Sequence, residues 1–188
     1  DIHGIGVLIK GASGTGKSET VVGLIDHGAS LVADDTVRFS RIAGGDIVGT
    51  APELGRSHME VRGLGLINVM ALYGIGAVRL EKALNVVITL RPAEDLNEVE
   101  RVGLTPQTYR ILGLDLPYLE LPVAPGRDLA KLIEVAAMDV KLKVLRAAEM
   151  SFLTSSNALR LYALGKNYLI IFPRTFRLSS KTFRWNQL

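Results

Sequence analysis

The chain is predicted to fold as α/β, and three observations predict it. The apolar run Ile5-Gly6-Val7-Leu8-Ile9 leads at once into the octapeptide Gly11-Ala12-Ser13-Gly14-Thr15-Gly16-Lys17-Ser18, a strand feeding a complete phosphate-binding loop. Val21, Leu24 and Ile25 then recur at helical spacing, and Gly28 stands where a left-handed C-terminal cap is expected. At 188 residues and 48% apolar content, the chain suits one α/β domain with a sizeable core.

Each part of the octapeptide has a chemical use. Gly11, Gly14 and Gly16 let the backbone turn tightly and aim successive N–H groups inward, so that phosphoryl oxygens are cradled at a helix N-terminus. Lys17 carries a mobile positive charge to the terminal phosphates, and the Ser18 hydroxyl has the reach to hold a Mg²⁺ bridging two phosphate oxygens.

Further along, Ser30-Leu31-Val32-Ala33 reads as a short strand that ends in two carboxylates, Asp34 and Asp35. Acids at a strand's C-terminal end beside such a loop can hold Mg²⁺ or accept a hydroxyl proton during phosphoryl transfer. Asp also caps turns, but the nearby loop favours the chemical role. Glu60 and Arg62 lie two apart in Met59–Val69, so on a strand they share one face, where a carboxylate and a guanidinium address a metal and a phosphate. Periodicity alone reads this pair as an ordinary exposed strand end. His3, His27 and His58 are read as surface or packing residues.

Composition narrows the class. There is no cysteine, which excludes disulfides and thiolate metal sites. The longest uncharged stretch, near residues 63–78, is broken by Asn68, Tyr73 and several glycines, and falls short of the ~20 apolar residues that span a bilayer. No membrane association and a cytoplasmic location are expected. The chain starts at Asp1 and enters the loop strand within a few residues, which reads as a piece of a longer protein. The net charge of +3 hides an asymmetry: residues 151–188 carry six Lys or Arg and no acid. Trp185, Phe176 and Phe183 accompany them, but without a nucleic-acid motif the tail is read as solvated or packed on a neighbour, and no nucleic acid is expected.

Gly11–Ser18, Val32-Ala33-Asp34-Asp35, Met59–Val69, Glu100-Arg101-Val102-Gly103-Leu104 and Pro122-Val123-Ala124-Pro125-Gly126-Arg127 occur together and in this order. In them the chain resembles the catalytic domain of the bacterial HPr kinase/phosphorylase family, over residues 1–139. The resemblance implies a P-loop kinase-like core with a mixed sheet, related to phosphoenolpyruvate carboxykinase. It implies a bifunctional enzyme that phosphorylates a serine of the phosphocarrier protein HPr with ATP or pyrophosphate. The same site would remove that phosphate with inorganic phosphate, yielding pyrophosphate.

Carried over by motif, Gly11, Ala12, Ser13, Gly14, Thr15, Gly16, Lys17 and Ser18 bind the phosphates, Lys17 is catalytic, and Ser18 and Glu60 serve Mg²⁺. Asp35 is expected to take the serine proton, with Asp34 in support. Arg101 corresponds to the family's catalytic arginine, whose fork of donors matches phosphate oxygens. Its alternative is pairing with Glu94, Asp95, Glu98 and Glu100. Pro122, Val123, Ala124, Pro125, Gly126 and Arg127 correspond to the part important for dephosphorylation, a loop that carries Arg127 towards incoming phosphate. A homohexamer is implied.

Two features depart from the family. Its functional histidine upstream of the loop strand would precede Asp1, and His3 does not replace it. At the other end, Lys141 to Met150 could begin the closing helix, while residues 151–188 are unfamiliar apart from a possible strand at Tyr168–Phe172. The expected organisation is therefore a P-loop catalytic domain over 1–150 and a basic extension over 151–188. The competing readings are a small-molecule kinase and a nucleotide-binding regulatory module that has lost catalysis. A GTPase is disfavoured because no Asn-Lys-x-Asp motif occurs.

Overall fold

The computed structural model describes residues 1–92, 107–155, 159–164 and 168–173. In chain order, β1 (Gly6–Gly11) leads into α1 (Lys17–Asp26), followed by β2 (Arg38–Arg41), β3 (Ile47–Thr50), β4 (His58–Val61) and β5 (Gly65–Asn68). Then come a short α2 (Val69–Tyr73), β6 (Glu81–Pro92), β7 (Gln107–Ile111), β8 (Leu114–Val123), α3 (Leu129–Ser155), β9 (Leu159–Leu164) and β10 (Tyr168–Pro173). The chain divides into two compact units, Asp1–Leu142 and Lys143–Leu188. Of the second unit, β9 and β10 form an antiparallel pair, so the possible strand at Tyr168–Phe172 is present.

The first unit is organised on β6. Val86, Val87, Ile88 and Leu90 are buried with side chains on alternating faces, as a strand covered on both sides requires. β1 and β8 both run parallel to β6, β3 pairs antiparallel with its first residues, and β2 and β7 add antiparallel edges, giving a mixed sheet of six strands. One face packs Val86, Ile88 and Leu90 against Leu24 of α1 and against Ala130, Ile133 and Ala137 of α3. The other packs Val87 with Ile47, Leu84 and Leu116. In register, Gly11, Leu90 and Leu121 are level, so β1 and β8 finish at the same sheet edge.

The helix ends follow local chemistry. Gly28 has φ +88°, Ala29 N donates to Leu24 O and Gly28 N to Ile25 O, which is a Schellman closure of α1. Its C3 and C″ residues, Leu24 and Ala29, meet in the core. α3 begins at Leu129 rather than near Lys141 because Asp128 caps it, Oδ1 accepting from Lys131 N at 2.9 Å, and its apolar stripe starts at Ala130. The two helices approach closely at Gly23, where an added Cβ would lie 3.0 Å from the Ala130 Cβ.

The strand expected over Ser30–Asp35 does not form. Leu31 makes one parallel bridge with Val78, Leu31 N donating to Ala77 O and Arg79 N to Leu31 O, both at 2.8 Å. Its partner segment leaves a 3₁₀ turn at Ile75–Ala77 and enters β6 at Glu81, too short an extended stretch to ladder.

His3 and His27 have the packing role expected of them. His3 Nε2 lies 3.1 Å from Glu134 Oε1 and His27 Nδ1 3.4 Å from Oε2, tying the chain before β1 and the end of α1 to α3. Hydrogen bonds from Lys131, then from His3, lower the Glu134 carboxyl from 4.5 to about 2. A depressed carboxylate stabilises the fold above its ordinary value and loses that contribution as pH falls from about 4.5 towards about 2. The Glu134→Gln variant is therefore expected to unfold at lower urea than the parent at pH 7, with the gap in midpoint narrowing as pH falls from about 4.5 towards about 2.

Candidate active site

The loop after β1 is held by its own backbone. Gly14 and Gly16 take positive φ, +85° and +79°, where a side chain is strained. Gly11 is needed for room instead, since a Cβ there would sit 2.7 Å from Thr15 Oγ1 and 3.0 Å from Leu90 O. Thr15 donates to Ala12 O through both its amide and its hydroxyl, at 3.3 and 2.9 Å. Lys17 folds across the loop, its Nζ donating to Gly11 O and Ala12 O at 2.9 Å each. Gly16 occupies the N-cap of α1 and offers no side-chain acceptor, so the first-turn N–H groups face the loop's concavity.

A cleft of about 920 Å³ opens beside this loop, and Gly14, Lys17, Ser18, Asp34, Asp35 and Glu60 all line it. The two aspartates arrive on the bend after the Leu31 bridge, and they differ in engagement. Asp34 Oδ2 accepts from Glu60 N at 2.8 Å, fastening the bend to β4. Asp35 is exposed and makes no hydrogen bond or ion pair to another described residue.

Glu60 reaches the cleft from β4, but β4 ends at Val61, and Arg62 belongs to the three-residue link into β5. The pair therefore does not share a strand face. Arg62 nonetheless lines the cleft, its guanidinium nitrogens 3.6 and 3.8 Å from where a Cβ on Gly14 would stand. The two-residue spacing named Arg62 but put it on a strand face; the signal for its actual position is Gly63, whose φ of +85° lets the link turn.

A second groove, about 450 Å³, lies on the loop's other flank. Gly14, Gly16 and Glu19 form one wall and Val123, Ala124 and Arg127 the other. Pro122 and Val123 are the last residues of β8, paired with Arg91 and Pro92 of β6. Ala124-Pro125-Gly126-Arg127 then makes a β-turn, with Arg127 N donating to Ala124 O at 3.2 Å and Gly126 at φ +77°, the Pro-Gly pattern of type II. Two motifs far apart in sequence thus border one glycine-rich loop. Arg101 and its acidic neighbours lie outside the described residues.

Among the described residues no group of three His, Cys, Asp or Glu is arranged to hold a metal ion. The protein oxygens lining the cleft are few and hard.

The HPr serine kinase C-terminal domain family matches residues 1–156. The chain belongs to that family. It is 49% identical over 143 residues to an HPr kinase/phosphorylase of Exiguobacterium sibiricum and 48% identical over 143 residues to one of Bacillus subtilis. Each match covers 76% of this chain and 46% of the relative, so the chain spans about half the length of these proteins. The solved structure of the Hpr(Ser) kinase/phosphatase from Coxiella burnetii superimposes with a TM-score of 0.74 at 31% identity, covering 83% of this chain and 94% of that one. The mixed α/β fold is therefore shared with a family member.

The Asp34–Glu60 contact gives a local test. Asp34→Ala removes the acceptor and Asp34→Asn retains one, so hydrogen exchange at the Glu60 amide is expected to quicken in the first and stay near the parent rate in the second.

Proposed function

We propose that the chain is the catalytic part of a bifunctional serine kinase/phosphorylase acting on the phosphocarrier protein HPr. The observation that carries this reading is the convergence of Lys17, Ser18, Asp34, Asp35 and Glu60 on one cleft. Family membership and the names of its relatives support it. In this reading residues 1–150 form the catalytic domain, a P-loop core related to phosphoenolpyruvate carboxykinase, and 151–188 a basic extension.

Gly11 to Ser18 cradle the phosphates of ATP or pyrophosphate, with Lys17 exchanging its two loop carbonyls for terminal phosphate oxygens. Mg²⁺ fits the donor set, because it keeps most of its waters and takes only one or two protein oxygens beside those of the substrate. Ser18 and Glu60 would hold it, and it would neutralise charge between adjacent phosphates. Asp35, bonded to no described residue, takes the proton of the incoming serine as its oxygen attacks the terminal phosphoryl group. Asp34 holds Glu60 in place.

In the opposite direction an oxygen of inorganic phosphate attacks the phosphoserine phosphorus. The serine oxygen leaves and regains its proton from Asp35, and pyrophosphate is released. The turn carrying Arg127 faces that incoming phosphate, and Arg101 stabilises charge on the transferring group. Both directions share one charge distribution, so positioning and electrostatics serve both.

The same reading places the protein in the cytoplasm, as a homohexamer without nucleic-acid or membrane partners. Among the described residues no helix is long and apolar enough to cross a membrane. Exposed Leu64, Leu66, Leu72 and Ile75 offer an apolar surface for assembly.

Mass spectrometry of HPr incubated with the chain, Mg²⁺ and ATP or pyrophosphate is expected to show one new phosphoserine that disappears on adding excess inorganic phosphate. Asp35→Ala is expected to lower transfer by roughly 10²-fold or more while nucleotide binding persists. Binding without any transfer by the parent would instead favour a regulatory module.

A further inference from the structure

On the sheet face away from α1 and α3, a line of polar side chains runs across three strands close to the edge where the loop and the turn emerge. Lys10, Thr89 and Glu120 are level in register on β1, β6 and β8. Lys10 Nζ donates to Tyr109 OH at 2.6 Å, and the Tyr109 and Tyr118 rings meet with centroids 5.6 Å apart. Tyr118 OH donates to Glu120 Oε1, and Arg91 Nη2 lies 2.8 Å from the same oxygen. The Glu120 side chain is 12% exposed and that of Arg91 46%, so the carboxylate is held in the protein while the guanidinium is partly open to solvent.

The position of this network gives it consequence. Arg91 is the register partner of Pro122, the second-last residue of β8, yet its guanidinium reaches back to Glu120. The β6–β8 ladder ends at Pro92 and Val123, and Pro92 and Pro122 have no N–H to give it. Backbone cohesion is thus poorest where β8 hands over to the Ala124–Arg127 turn. Glu120 supplies an ion pair and a hydrogen bond at that point.

We propose that Glu120 is a positioning residue: through Arg91 it holds the end of β8 on β6, with Tyr118 of its own strand orienting its carboxylate, and so fixes the Arg127 turn across the groove from the glycine-rich loop. Its kinetic consequence, a specific effect on the use of inorganic phosphate, rests on the function proposed above. Its geometric consequence does not.

The chain has no cysteine, so spin labels can be placed on it at will. Labels at Glu19→Cys and Ala124→Cys, on opposite walls of the groove, report the gap by pulsed distance measurement. A narrow distribution is expected in the parent and a broad one in Glu120→Ala. An intermediate width is expected in Glu120→Gln, which keeps an acceptor for Arg91 without the charge, and a narrow one again when Arg91→Glu is combined with Glu120→Arg. An unchanged width in Glu120→Ala overturns the proposal, whether or not the chain transfers phosphate.

In the unlabelled chain, Glu120→Ala is expected to raise KM for inorganic phosphate roughly tenfold, the scale of one charged hydrogen bond, with KM for the nucleotide unchanged and recovery in the exchanged pair. Equal loss of kcat in both directions at unchanged KM also overturns it. A parent that shows no transfer refutes the proposed function and leaves the distance measurement to decide the positioning role.

Discussion

The rest of the first unit depends on the burial of β6. Val86, Val87, Ile88 and Leu90 are removed from water on both faces, each apolar side chain contributing about 1.5–3 kcal/mol relative to exposure. That burial fixes register, because a slip by one residue would exchange the two faces. Register in turn brings Gly11 and Leu121 level beside Leu90, so everything emerging from β1 and β8 does so at one edge. The contacts are tight enough to dictate residue type: a Cβ on Gly6 would lie 1.9 Å from Ala83 O.

Upon this frame the cleft is assembled from pieces that are not themselves part of the sheet. The bend carrying Asp34 and Asp35 is attached by one bridge at Leu31, by Ser30 Oγ donating to Gly76 O, and by the Asp34 carboxylate on Glu60 N. The hairpin of β4 and β5 brings Glu60 and Arg62. Acids and cations are thereby interleaved around the loop, so neither sign of charge accumulates unopposed, and in the function proposed above a polyphosphate with its cation would meet partners for both.

Much of the fold was legible because its signals are local. The strand, loop and helix from Gly6 to Asp26 carry their own glycines, periodicity and closing Gly28, and the mixed sheet followed from the family resemblance. The failures have a common cause in long-range geometry. Ser30–Asp35 has a strand's composition, but its partner at Val78 is too short to build a ladder. Arg62 looked like the strand-mate of Glu60, whereas the link to β5 turns it towards Gly14. Lys141–Met150 is helical as the sequence suggests, and the earlier start of α3 has a local cause, the Asp128 cap. At the site, the octapeptide and the paired aspartates were visible from residue type, while their meeting with Glu60 and the approach of the Arg127 turn are products of register. Nothing in a linear pattern shows that Glu120 and Lys10 fall on one row.

The close approach of α1 and α3 has a consequence for the space between the loop and the Arg127 turn. Each helix begins on one wall of that groove, and their separation is set where Gly23 meets Ala130. These two small residues act as a spacer of minimum thickness and themselves line the groove. A single added methyl works there as a shim, moving whole helices where a substitution at Arg127 changes one side chain. The width of the groove is thus adjustable by volume at a helix contact, without altering any charged side chain that lines it.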